Sequence, residues 1–222
     1  MIAPRLNAAG RVDTAHSGLK YLITEDTNFH QQHFDHLDEL NTNRKKIQDE
    51  MIKVAQSQID PSKYLLHAMG EEFHEGIVGI VSGRLTEKYY KPSLVLGINK
   101  EEGTAMGSLR GPDYFNVVEM LKTADDLLLR YGGHAQAGGL TVALDKLDEV
   151  LARFHAYCDQ TMGGKVFEKT DSIDTKLQAH EINYPTLKAL FDLAPFGQGN
   201  PEPVLMIENF MINTRKTMGK NG

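Results

Sequence analysis

Tyr131-Gly132-Gly133-His134-Ala135-Gln136-Ala137-Gly138-Gly139 is a stretch whose residue types suit the gripping of an anion, together with Gly107-Ser108-Leu109-Arg110-Gly111 upstream. Glycine pairs on both sides of a lone histidine leave the main chain uncovered, so backbone N–H groups can approach a phosphate closely. Ser108 adds a hydroxyl donor, and Arg110 a planar guanidinium that matches phosphate oxygens two at a time. The same residues also read as turn glycines around a structural histidine. Spacing alone does not choose between the two.

Other residues invite chemistry less strongly. Arg11 follows Ala8-Ala9-Gly10, where a surface arginine is the default reading. His74 and Glu75 precede a helix opening Gly76-Ile77-Val78-Gly79, and a helix N-terminus offers free N–H groups to phosphate. Gly79 reads as a packing glycine. His30, His33, Asp35 and His36 lie at helical spacing and could suggest a metal, but a polar face of a solvated helix explains them better. Cys158 sits in a helical pattern and reads as a buried structural thiol.

The chain has 222 residues, 41% of them hydrophobic, and a formal net charge of −6. That charge argues against a simple basic nucleic-acid binder, yet an enzyme can confine positive charge to one groove. Arg5, Arg11 and Arg110 are candidates for such a groove, and Arg215, Lys216 and Lys220 form a small basic cluster. The lone cysteine excludes an internal disulfide and fits a reducing cytoplasm. No apolar run approaches the roughly 20 residues of a membrane span, and no leader pattern opens the chain. A cytoplasmic protein is expected, with no membrane partner.

Around these residues the elements alternate. The opening, 2–17, reads as a loop leading into a helix. From Phe29 to Ile59 sparse apolar residues suit a long helix with a narrow buried stripe, ended by Asp60-Pro61. Strands are expected at 64–69, 93–98, 104–109 and 140–144, and helices at 76–90, within 114–131, and at 147–162. This alternation argues for an α/β domain. Beyond Gly163-Gly164 come an exposed strand over 166–177, a short helix near 186–193, a turn-rich run at 194–203 and a strand at 204–212. This last part is too short to bury a core alone.

In this order the segments strongly resemble the RecJ branch of the DHH phosphoesterase family. Four stretches carry the resemblance. Pro4-Arg5-Leu6-Asn7-Ala8-Ala9-Gly10-Arg11 is similar to the family segment where the catalytic domain meets a connecting helix. Phe73-His74-Glu75-Gly76-Ile77-Val78-Gly79-Ile80-Val81 resembles a family motif that normally begins with tryptophan. Ser108-Leu109-Arg110 and Gly132–Gly138 resemble the phosphate-gripping elements of the DHH-associated domain. Pro195–Pro203 resembles the entry to the family's OB-fold domain.

The resemblance implies a mixed central sheet flanked by helices, preceded by a long connector helix and followed by a partial OB-like β segment. It divides the chain into the end of a DHH domain plus connector at 1–62, the DHH-associated domain at 63–163 and a partial OB-fold at 164–222. It further implies single-stranded-DNA-specific 5′-to-3′ exonuclease chemistry, with two divalent ions, Mg or Mn, in the intact enzyme. The Asp-His-His triplet that binds those metals in the family is absent from this sequence. The expectation is therefore a substrate-binding portion that binds no metal and is inactive alone, its catalytic domain lying upstream. The implied phosphate-binding residues are Arg11, Ser108, Arg110, Gly132, Gly133 and His134, with Arg5, Asn7 and His74 as further candidates. Single-stranded DNA is the implied partner, and a single-strand-binding protein is a second that the sequence does not specify. Two alternatives stay open: a non-catalytic nucleic-acid-binding scaffold, and a phosphodiesterase of short oligonucleotides or cyclic dinucleotides.

Overall fold

The computed structural model describes residues 2–165, 167–209, 211, 213, 214 and 216. The chain divides into two units, Met1–Glu168 and Lys169–Gly222.

In the first unit five strands form one mixed sheet: β1 (Leu66–Gly70), β2 (Ser93–Asn99), β3 (Thr104–Arg110), β4 (Leu128–His134) and β5 (Ala137–Ala143), ordered β1-β2-β3-β5-β4. β1 and β2 are parallel, and the remaining pairs are antiparallel. The helices in this unit are α1 (Ala3–Val12), α2 (Ala15–Ile23), α3 (Thr27–Gln58), α4 (Glu75–Tyr89), α5 (Val117–Lys122) and α6 (Leu147–Met162). The mixed α/β sheet flanked by helices and the long connector helix are as expected.

Alternation along each strand divides the apolar residues between two cores. Leu94, Leu96, Leu109, Leu140 and Val142 pack on one face against α5 and α6, around Met120 and Phe154. On the other face Leu66, Ala68 and Val95 meet Ile77, Val81 and Leu85 of α4 and Met51 and Ala55 of α3. No described residue of β4 or β5 belongs to this second core. The second face of the sheet therefore lies bare over those two strands.

Cys158 is fully buried, with its sulfur 3.5 Å from that of Met120. Burial, reinforced by Asp159, pushes the thiol up to about 12, which disfavours the nucleophilic thiolate.

Two expectations fail. The opening is not a loop, because Ala3–Val12 is helical; Ala8 and Ala9 are fully buried and their small side chains allow close helix packing. Leu128–His134 is a strand and not part of a helix, since pairing with β5 overrides the helix preference of Leu128, Leu129 and Arg130.

In the second unit β6 (Thr175–Leu177) pairs in parallel with β7 (Leu205–Ile207), with α7 (Tyr184–Phe191) between them in sequence. Both strands are shorter than expected, and no described residue after Met162 is buried. Val166, Phe210, Ile212, Arg215 and Lys220 lie outside the described residues. Among the described residues no helix is long and apolar enough to cross a membrane.

β1 and α6 also meet through two imidazoles, His155 Nε2 lying 3.0 Å from His67 Nδ1. Burial lowers the pKa of both below 6.5; His155 adds to this at His67, whereas at His155 Asp159 opposes it and Lys63 reinforces it. A base with a depressed folded pKa takes its proton first in the unfolded chain. Stability should then fall as pH drops through about 6.5. Thermal unfolding between roughly pH 7.5 and 5.5 should show a declining Tm, and His155→Gln should flatten that decline. An unchanged slope in the variant would assign the effect to other groups.

Candidate nucleic-acid interface

The sheet register decides which motif residues share a face. Arg110 pairs with Ala137, which pairs with His134; Ser108 pairs with Gly139, which pairs with Gly132. Paired residues point to the same side, so Ser108, Arg110, Gly132 and His134 all lie on the face opposite the α5/α6 core. The serine-arginine strand and the histidine motif thus lie two strands apart on one surface.

Arg110 is tucked beneath α4. Its Nη1 donates to Ser108 Oγ at 2.6 Å and to the Leu109 carbonyl at 2.7 Å. A β-carbon at Gly79 would stand 3.0 Å from Arg110 Nη2 and 3.1 Å from Ser108 Oγ. Gly79 therefore packs, as expected, but what it accommodates is this polar pair. Thr86 Oγ1, further along α4, donates to the Arg110 carbonyl at 3.2 Å and ties the strand end to the helix.

α1 closes the cleft from the other side. Gly76 opens α4, and a β-carbon there would collide with the Arg11 carbonyl. Arg11 Nη1 donates to the Gly76 carbonyl at 3.1 Å. The resulting cleft, about 580 Å³, is lined by Asn7, Arg11, Glu75, Gly79, Met106 and Ser108 among others. Burial, and then the charge of Arg11, lowers the pKa of Arg110. Among the described residues neither arginine has a carboxylate partner. Glu75 is the one carboxylate among the lining residues, and it stands in the first turn of α4, where the helix dipole favours it.

The remaining candidates separate. His134 is exposed at the end of β4, beside the two-residue Ala135-Gln136 turn. Backbone bonds from Gly111 to the Gln136 carbonyl (3.0 Å) and from Val117 to the Ala135 carbonyl (2.9 Å) pin that turn. β4 is an edge strand, so alternate backbone N–H groups have no strand partner. His74 caps α4, its Nδ1 accepting from the Gly76 N–H at 3.1 Å. Arg5 is bound to Asp38 at 2.6 Å and lies over the Phe34 ring, away from the lining of the cleft.

The motif glycines differ in kind. A β-carbon at Gly133 would collide with the Ala137 carbonyl, and one at Gly138 would lie 2.8 Å from Leu121 Cδ1. At Gly132 it would meet nothing within 4 Å.

Sequence reasoning missed Arg44 on α3. It donates to Gln48 Oε1 at 2.7 Å and to Asn41 Oδ1 at 2.8 Å, which allows both amides to be buried. Burial, then Arg11, lowers its pKa, with Asp49 opposing. Asn7, Arg11 and Arg44 share a neighbouring recess of about 230 Å³. The detectable signal was a heptad-like row, Leu37, Asn41, Arg44, Gln48, Met51, Ala55, whose polar members interrupt the apolar pattern.

His30, His33 and His36 make local contacts: a tilted ring pair with Tyr21, stacking on Phe29, and a 3.7 Å approach to Asp13, respectively. Among the described residues no three His, Cys, Asp or Glu side chains gather as a metal site would require.

Residues 62–160 match the DHHA1 domain family and residues 173–222 the RecJ OB domain family. Over 225 residues the chain is 31% identical to the single-stranded-DNA-specific exonuclease RecJ of Bacillus subtilis, covering 99% of this chain and 28% of that protein. RecJ of Thermus thermophilus is 31% identical over 93% of this chain and 30% of its own length. The crystal structure of RecJ from Thermus thermophilus in complex with Mn2+ superposes with a TM-score of 0.81 at 30% identity, covering 93% of this chain and 30% of that one. Its complex with Mg2+ gives 0.79 at 31% identity, covering 91% and 31%. The chain spans less than a third of the length of these relatives.

Two alanine variants test the division of labour among the glycines. Gly133→Ala should destabilise the first unit by about 1–3 kcal/mol, the usual cost of overpacking, whereas Gly132→Ala should leave thermal stability near wild type. Equal losses would refute the distinction.

Proposed function

Because this chain belongs to the RecJ branch of the DHH phosphoesterase family, carrying its DHHA1 and RecJ OB domains, we propose that it supplies the substrate grip of a single-stranded-DNA-specific 5′-to-3′ exonuclease. The observation that carries this reading is the cleft between α1, α4 and β3, where Arg11 and Ser108 line the wall and Arg110 lies half-buried behind the serine. Two guanidiniums that lack carboxylate partners among the described residues favour an anion between them, and the phosphodiester backbone is the anion a RecJ relative meets.

In this reading Arg110 and Ser108 bind a terminal or near-terminal phosphate, and Arg11 and Asn7 hold it from the opposite wall. His134 and the outward N–H groups of β4 extend the contact surface along the same face. Partial desolvation strengthens each charge-assisted bond, because less water competes for the guanidinium. Fixing one phosphate fixes the register and direction of the strand, so the grip sets polarity.

The related structures are described as holding Mg2+ or Mn2+. The described residues of this chain do not fit such an ion, since they contain no cluster of ligands. The proposal therefore gives this chain binding and orientation, and derives no hydrolytic step from its residues.

Arg110→Ala should weaken binding of a 5′-phosphorylated single-stranded oligonucleotide by about 1.5–3 kcal/mol, the worth of a hydrogen bond to a charged group, or roughly ten- to a hundredfold. Fluorescence anisotropy at fixed salt would measure it. Affinity unchanged from wild type would overturn the assignment.

A further inference from the structure

We propose that the bare face of the sheet beyond Ser108 is a second nucleotide subsite, where Arg130 holds a backbone phosphate and Met106 supports a base. This rests on the single-strand-binding reading above and extends it to residues which that reading does not use. A trough of about 380 Å³ lies here, with Met106, Arg130, Gly132, Gly139 and Thr141 among its lining residues. Met106 and Gly107 also line the α1/α4 cleft, so the two spaces adjoin.

Three observations point to a ligand. The first is a β-bulge. Leu128 pairs with Val142 on the core face, yet Arg130, two residues later, pairs with Thr141 on the bare face. In an unbroken strand residues two apart share a face. The extra residue, Leu129, breaks that rule and turns Arg130 outward.

Second, Gly132 and Gly139 are not required by the fold. Neither has a positive φ, and a β-carbon would meet nothing within 4 Å at Gly132 and only the Gly107 carbonyl, at 3.7 Å, at Gly139. What their bare backbone provides is a flat floor on which a planar group can lie.

Third, the charge is unopposed. Among the described residues no carboxylate lines the trough and the Arg130 side chain has no ion-pair or hydrogen-bond partner, in a chain of net charge −6. Met106 remains 43% exposed beside it, an apolar surface next to a cation, which is the pairing that a base and its phosphate present in reverse.

Arg130 lies two strands across and four residues along from Arg110, roughly 16 Å by ideal sheet spacings. Backbones that far apart suit separate nucleotides of one strand, so Arg130 serves a different nucleotide from the one in the cleft.

The test compares a 5′-phosphorylated thymidine dinucleotide with the corresponding decamer, titrated calorimetrically into the full chain. Arg130→Gln should weaken the decamer about tenfold and leave the dinucleotide unchanged, while Arg130→Lys should restore most of the decamer affinity. The salt slope for the decamer should fall by about one in the glutamine variant. Wild-type affinity for both lengths in Arg130→Gln, with Arg110→Ala weakening both, would overturn the subsite and leave the grip standing. Equal losses at both lengths would also overturn it, since no separate subsite would exist. If the wild-type chain binds neither oligonucleotide, the single-strand reading fails and the subsite with it.

Discussion

Like charges held close together in a partly dry cleft are the constraint around which this molecule is arranged. Arg110 is half-buried under α4, and the nearby charge of Arg11 makes its ionised state less favourable still. Arg44, on the far side of Arg11, feels the same repulsion. Such an arrangement costs stability unless negative charge is near; Glu75 lines the cleft and Asp49 acts on Arg44, but among the described residues no carboxylate pairs with Arg11 or Arg110. The free energy that an anion would recover on entering is built into the fold beforehand.

Glycines make that crowding geometrically possible. Gly76 lets the first turn of α4 lie against the main chain of α1, and Gly79 leaves room for the Ser108–Arg110 pair under the helix. Side-chain amides do the equivalent on α3, where Asn41 and Gln48 are buried only because Arg44 satisfies their oxygens. The sheet then sets direction: its antiparallel register aligns the serine-arginine strand with the histidine hairpin, and on that face no described residue of β4 or β5 joins a helix-packed core.

How far the sequence disclosed this depended on whether an element's signal was local. α6 was legible to the residue, because its amphipathic period and the Gly163-Gly164 stop lie within its own segment. The serine-arginine and glycine-histidine motifs stood out because residue type carries the chemistry, and the register sets Ser108, Arg110 and His134 on one face. β4 was not, since two leucines and an arginine become a strand only through pairing with β5. The outward turn of Arg130 was hidden for the same reason: a bulge exists only relative to its partner strand. α1 was hidden by composition, because a run of small residues reads as a loop until a helix is found to pack against it. Arg5 matched by position, yet Asp38 and Phe34 hold it, and neither contact could be read from its neighbours in sequence.

The most direct measurement is a crystal structure of this chain with a short 5′-phosphorylated single-stranded oligonucleotide. A phosphate within hydrogen-bonding distance of the Arg11 and Arg110 guanidiniums and the Ser108 hydroxyl is the predicted result. A strand bound elsewhere, with that cleft holding only solvent, would contradict the account.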